Sequence, residues 1–132
     1  MSMKVLIADP DWRFTGQATA YLEAHAHLVV TESRPKEIRS HVEHWQPDLV
    51  ILAAELADKG VLDWLYKQES RSAVLLTGRM DRYSLAWKAW QKGGDELLMK
   101  PVFKSEEIHD AIVTAMENRV SGARVKPMVA TA

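Results

Sequence analysis

The sequence contains no cysteine, which excludes disulfides and thiol catalysis. No apolar run approaches the roughly 20 residues needed to span a bilayer, and the N-terminus reads as a strand rather than a secretion signal. Lys and Arg number 17 against 18 Asp and Glu, for a formal net charge of −1. That balance gives no electrostatic drive toward nucleic acid or an anionic membrane. There is no internal repeat, no low-complexity stretch, no nucleophile–base pair and no phosphate-cradling glycine loop. The expectation is a cytoplasmic, non-enzymatic protein with no cofactor, no direct nucleic-acid contact and no membrane contact.

What is present is one domain's worth of chain: 132 residues, 47% hydrophobic and 27% charged, enough to bury a single core. Short apolar runs at 5–8, 28–31, 49–53, 73–77 and 96–99 alternate with amphipathic segments at 13–25, 36–45, 61–68, 81–92 and 105–119. Runs this brief and partly continuous in apolar character suit strands buried on both faces. Ser105 reads as an N-cap followed by the first-turn acids Glu106 and Glu107, and Pro35 suits the start of the second helix. Strand–helix alternation favours right-handed crossovers. The predicted architecture is a flavodoxin-like, doubly wound, five-stranded parallel sheet of order 2-1-3-4-5 with five helices. Residues 1–120 form that domain, and 121–132 read as a flexible tail or linker stub.

In an open parallel sheet, the ligand site lies at the carboxyl ends of the strands. The residues that fall there are Asp9, Pro10, Asp11, Ala53, Thr77 and Lys100. Four stretches in order carry a resemblance. They are Lys4-Val5-Leu6-Ile7-Ala8-Asp9, Pro47-Asp48-Leu49-Val50-Ile51-Leu52-Ala53, Val74-Leu75-Leu76-Thr77-Gly78 and Gly93-Gly94-Asp95-Glu96-Leu97-Leu98-Met99-Lys100-Pro101. Over roughly residues 3 to 119 the chain resembles the response-regulator receiver domain of two-component signalling and phosphorelay.

The resemblance implies an Asp phospho-acceptor at the end of the third strand, where this chain has Ala53. It also implies two adjacent acids after the first strand, where Pro10 separates Asp9 from Asp11. Losing two anionic groups weakens any divalent-metal site, so no metal is expected. Substitute acids are poorly placed: Glu55 lies past the strand end, Asp48 opens the strand, and Asp58 is in a loop. Acyl phosphate formation needs in-line attack on a positioned phosphoryl group. Thr77 and Lys100 remain as a remnant pocket with Asp9 and Asp11. Either they hold another anion, or Lys100 pairs with Asp9, the reading preferred here because a half-buried Lys beside a carboxylate normally pairs. Leu97 stands where many such domains carry a switching aromatic.

The segment 81–92 carries Tyr83, Leu85, Ala86, Trp87, Ala89 and Trp90 over an arc of roughly 200°. The expectation is that Leu85, Ala86 and Ala89 pack on the sheet, whereas Tyr83, Trp87 and Trp90, with Leu97, offer an interface to a homodimer or protein partner. Trp90 is expected to be exposed in the monomer. His41 and His44, like His25 and His27, read as surface histidines rather than metal ligands. Arg34-Pro35-Lys36 reads as solvated loop charge, and Trp12 either covers the acidic pocket or packs on the first helix. Three functions remain open. The first is a phosphorylation-independent pseudo-receiver acting as an interaction module in signalling or transcriptional regulation. The second is a sensor whose altered pocket binds a small anion or metabolite. The third is a conventional receiver using a substitute acid.

Overall fold

The computed structural model describes residues 2–57, 60–122 and 124. Five parallel strands, β1 (Lys4–Ala8), β2 (Leu28–Thr31), β3 (Leu49–Ala53), β4 (Ala73–Arg79) and β5 (Glu96–Lys100), form one sheet in the order β2-β1-β3-β4-β5. The helices are α1 (Trp12–Ala24), α2 (Pro35–Trp45), α3 (Val61–Tyr66), α4 (Tyr83–Lys92) and α5 (Ser105–Ser121). The expected order and helix number are therefore found.

Side-chain alternation along the strands assigns two cores. Leu6, Val50, Leu52, Val74, Leu76 and Leu97 face the layer of α2, α3 and α4. Val5, Ile7, Leu49, Ile51, Leu75 and Leu98 face α1 and α5. Central strands covered on both faces have no polar side to show, which is why β3 reads as an unbroken apolar run. β2 departs from that expectation. It is one of the two edge strands, its burial is only partial, and Leu28 is 58% exposed.

Several boundaries differ from the sequence reading. The segment 81–92 is not one helix: a 3-10 turn at Met80–Arg82 precedes α4, with Arg79 and Asp81 paired across it at 2.6 Å. α3 stops at Tyr66, and α5 runs on to Ser121, past the expected domain end. Ser105 is the first residue of α5 and not its N-cap, which is Lys104. The exposed N–H groups at that end, of Phe103 and Lys104, instead donate to the Glu107 carboxylate at 2.8 Å each. Pro35 does open α2. Asp58 and the tail positions other than 121, 122 and 124 lie outside the described residues. No helix among the described residues is long and apolar enough to cross a membrane.

Candidate functional site

Parallel strands bring the ends of β1, β3, β4 and β5 to one rim of the sheet. Ala53 closes β3 there, fully buried and in register with Thr77 of β4. A methyl group thus fills the position at which the resemblance places a carboxylate.

Asp9 follows β1, and its side chain is 0% exposed. Its two oxygens are fully engaged. Oδ1 accepts the Asp11 N–H at 2.9 Å and Lys100 Nζ at 3.1 Å. Oδ2 accepts the Thr77 hydroxyl at 2.7 Å and Lys100 Nζ at 2.9 Å. The ammonium also stands 3.6 Å from Asp11 Oδ2 and 5.5 Å from the centre of the Phe14 ring. The sequence-predicted remnant pocket is thus one network, with a single lysine held between two acids.

Asp11 has a second duty as the N-cap of α1, accepting the Arg13 and Phe14 N–H groups at 3.1 and 3.4 Å. Burial acts to raise its carboxyl. The Phe14 N–H and the Lys100 ammonium outweigh that and hold it below its ordinary value.

The residues present do not fit a divalent cation. Such an ion needs several free oxygen ligands. Ala53 supplies none, Asp9 has no oxygen left uncommitted, and the Lys100 ammonium occupies the space between Asp9 and Asp11. Among the described residues no group of three or more His, Asp or Glu is arranged to hold a metal.

Of the substitute acids, Glu55 and Asp48 are placed as the sequence suggested. Glu55 lies in the 3-10 turn Ala54–Leu56 after β3, on the wall of an open cleft of about 820 Å³. Asp48 lies at the other end of the strand and accepts the Lys4 N–H at 2.8 Å. Trp12 neither covers the ion network nor packs inward. It is 75% exposed on the cleft wall, with the Arg13 guanidinium 5.3 Å from its ring centre.

Behind Thr77 the packing is tight. A Cβ built on Gly78 would stand 2.4 Å from Ala86 Cβ and 3.2 Å from Met99 Sδ, so α4 lies directly on the end of β4 because residue 78 has no side chain. That contact turns Ala86 inward and carries Ala89 and Trp90 with it. Trp90 is only 5% exposed, and Leu97 is likewise 5% exposed in the same cluster. Both were expected at an interface, and both are core residues of the monomer. The aromatic edge that remains on α4 is half-buried Tyr83 and Trp87, whose rings stack 6.3 Å apart. Met80, 44% exposed in the preceding turn, extends that edge.

The histidines have other work. His41 Nε2 lies 3.3 Å from Glu32 Oε1, and His44 Nδ1 lies 2.8 Å from the Ser40 carbonyl. His25 lies tilted against the Tyr21 ring with centroids 4.4 Å apart, and His27 Nδ1 accepts the Met3 N–H at 3.0 Å. Arg34 is no free loop charge, because it clamps Glu32 through Nε and Nη2 at 3.0 and 3.1 Å. A half-buried pair at the opposite end of the sheet was missed. Arg71 and Asp95 meet at 2.7 and 2.8 Å, and Asp95 also accepts the Val74 N–H at 2.8 Å. The Gly-Gly-Asp-Glu run pointed at Asp95, but nothing in the sequence singled out Arg71.

Comparison with solved structures places this fold. NtrX from Brucella abortus in complex with ADP superposes with a TM-score of 0.77 at 19% identity, over 92% of this chain and 28% of that one. A response regulator receiver domain protein from Clostridium thermocellum gives 0.69 at 24% identity, covering 92% and 99%. The receiver domain of Francisella response regulator 1452 gives 0.67 at 19% identity, covering 88% and 98%. The chain thus spans under a third of NtrX and nearly all of the isolated receiver domains. No protein-family model matches the sequence, and no curated protein does. At these identities the likeness establishes the fold, which is that of response-regulator receiver domains.

Proposed function

We propose that this chain is a receiver-type domain of two-component signalling that works without phosphorylation, as a protein-interaction module. The observation that carries the reading is the closed network at the sheet rim. Ala53 offers no acceptor oxygen, and the Lys100 ammonium and Thr77 hydroxyl are both committed to Asp9. A phosphoryl switch acts only if phosphate interacts differently with two states of the domain, and here the groups that would meet it are satisfied without it. The anion-sensor alternative draws less support, because the pocket's central cation is already held between two carboxylates.

The surface proposed for docking is the stripe Met80, Tyr83 and Trp87. Spacings of three and four residues keep these side chains on one side of the turn and helix. Exposed Arg82 and Lys88 lie in the same segment and give the stripe a polar rim. Aromatic and methionine side chains with a polar rim are the usual make-up of an interface core.

Sedimentation velocity over a concentration series, with and without acetyl phosphate and magnesium, tests this reading with a second copy of the chain as the partner. Association is expected in both conditions. It should weaken by about 2 kcal/mol or more in Trp87→Ala if that ring is a hot spot, and by less in Met80→Ala. Association that appears only with acetyl phosphate would contradict the proposal.

A further inference from the structure

The β2 edge of the sheet is open. In the β1–β2 ladder the Leu28 N–H donates to the Met3 carbonyl and the Glu32 N–H to the Ile7 carbonyl, each at 2.9 Å. The register runs from Lys4 with Leu28 to Ile7 with Thr31 without a break. Alternation along the ladder turns Leu28, Val30 and Glu32 toward β1, and turns the N–H and C=O groups of Val29 and Thr31 outward. Among the described residues nothing bonds those outward groups.

Edge strands are normally blunted by a charge, a proline or a bulge. β2 carries none of these. The other edge, β5, opens on half-buried Glu96 and is followed by Pro101. Glu32, just past β2, does not guard its edge. The carboxylate is drawn back onto Arg34 and His41, and the side chain is 9% exposed. On the face of α2, that helix lies chiefly over β1 and leaves β2 at the margin.

We propose that β2 pairs antiparallel with β2 of a second copy of the chain, about a two-fold axis through Val30. Two five-stranded sheets then become one continuous sheet. The pattern of outward groups selects this occupant. In an antiparallel pair, residues directly opposite alternately exchange both of their hydrogen bonds or none. An axis through Val30 sets Val29 opposite the partner's Thr31, and Thr31 opposite the partner's Val29, so each outward N–H meets an outward C=O. Val30 faces the partner's Val30 between them. These pairs are all β-branched, which suits cross-strand packing. No like charges meet, because Glu32 falls opposite the partner's Leu28. The two-fold closes the assembly on itself. The pairing is independent of docking through α4, which packs on β4, with β3 and β1 between β4 and β2.

Amide hydrogen exchange of the parent chain, followed by NMR at about 50 μM and about 1 mM, reads the edge directly. The Val29 and Thr31 amides are expected to exchange several-fold more slowly at the higher concentration. The Leu28 and Val30 amides, bonded to β1, should be protected at both. Sedimentation equilibrium in a Trp87→Ala background separates this surface from the α4 stripe. The dimer that remains there should weaken about tenfold or more in Thr31→Pro, which removes an outward N–H and no ladder bond. Thr31→Val should keep it. Val29 and Thr31 amides that exchange equally fast at both concentrations would overturn the proposal, whether or not the proline variant folds. A Thr31→Pro dimer as strong as its Trp87→Ala parent would do the same. Loss of all association in Trp87→Ala alone would overturn it too, and would leave the α4 reading standing.

Discussion

The Lys100 ammonium stands 2.9 Å from Asp9 Oδ2 and 3.1 Å from Oδ1, across 91 residues of sequence and at one rim of the sheet. The side chains are 4% and 0% exposed respectively. Removing either partner leaves the other charge buried, which typically costs about 3–5 kcal/mol. In a double-mutant cycle of Asp9→Ala and Lys100→Met, the double variant should lose less than the sum of the singles by about 1–3 kcal/mol. Urea unfolding gives the values. Additive losses would mean that the pair is not coupled.

Restoring an acid at the end of β3 tests what Ala53 does there. The residue is 0% exposed, so Ala53→Asp places an extra carboxylate in a packed site whose one cation is already shared. A loss of about 1–3 kcal/mol is expected without metal. The third oxygen-bearing side chain should then let magnesium recover part of that loss by binding the folded state. Thermal melts with and without magnesium should show a response in the variant and none in the parent. A parent that responds equally would mean that its own acids suffice.

Gly78 sets the approach of α4 to β4. With Ala86 Cβ 2.4 Å from the position an added methyl would take, Gly78→Ala must push the helix away. Overpacking of this kind costs about 1–3 kcal/mol. Gly16 is the contrast, because nothing lies within 4 Å of its built Cβ and it sits inside α1. Gly16→Ala should stabilise by about 0.5–1 kcal/mol. Urea midpoints that fall for the first variant and rise for the second, at constant slope, meet the expectation. A neutral Gly78→Ala would show that α4 is free to move.

Glu32 contributes acid sensitivity. The Arg34 side chain and N–H, with His41, hold its carboxyl down from its ordinary 4.5 to about 2. A depressed carboxyl binds fewer protons folded than unfolded, so its contribution is complete above the ordinary value and is lost as pH falls toward about 2. Glu32→Gln should therefore flatten the decline in urea midpoint across that interval and leave its slope above pH 6 unchanged. An identical acid decline in both proteins would remove Glu32 from the account.

Much of this was legible in the sequence. The alternation of apolar runs and amphipathic segments identifies a parallel sheet covered on both faces, because buried parallel strands must be apolar on both sides. The Asp9–Lys100 pair is legible because both residues end strands that the topology brings to one rim. Trp90 was misplaced for an angular reason. It follows Ala86 by four residues, only about 40° around the helix, so the close approach at Gly78 turns both inward. Leu97 follows the pleat of β5 into the same layer. The Arg71–Asp95 pair depends on tertiary closure between distant loops, and no periodicity encodes it.

Intact-mass spectrometry after incubation with acetyl phosphate and magnesium tests the central claim most directly. With Ala53 at the end of β3 and Asp9 fully engaged, the chain should keep its unmodified mass, and Ala53→Asp alone should be able to gain a phosphoryl increment. An increment on the parent chain that hydroxylamine removes, as it would an acyl phosphate, and that Glu55→Gln abolishes would show a substitute acceptor and contradict the account.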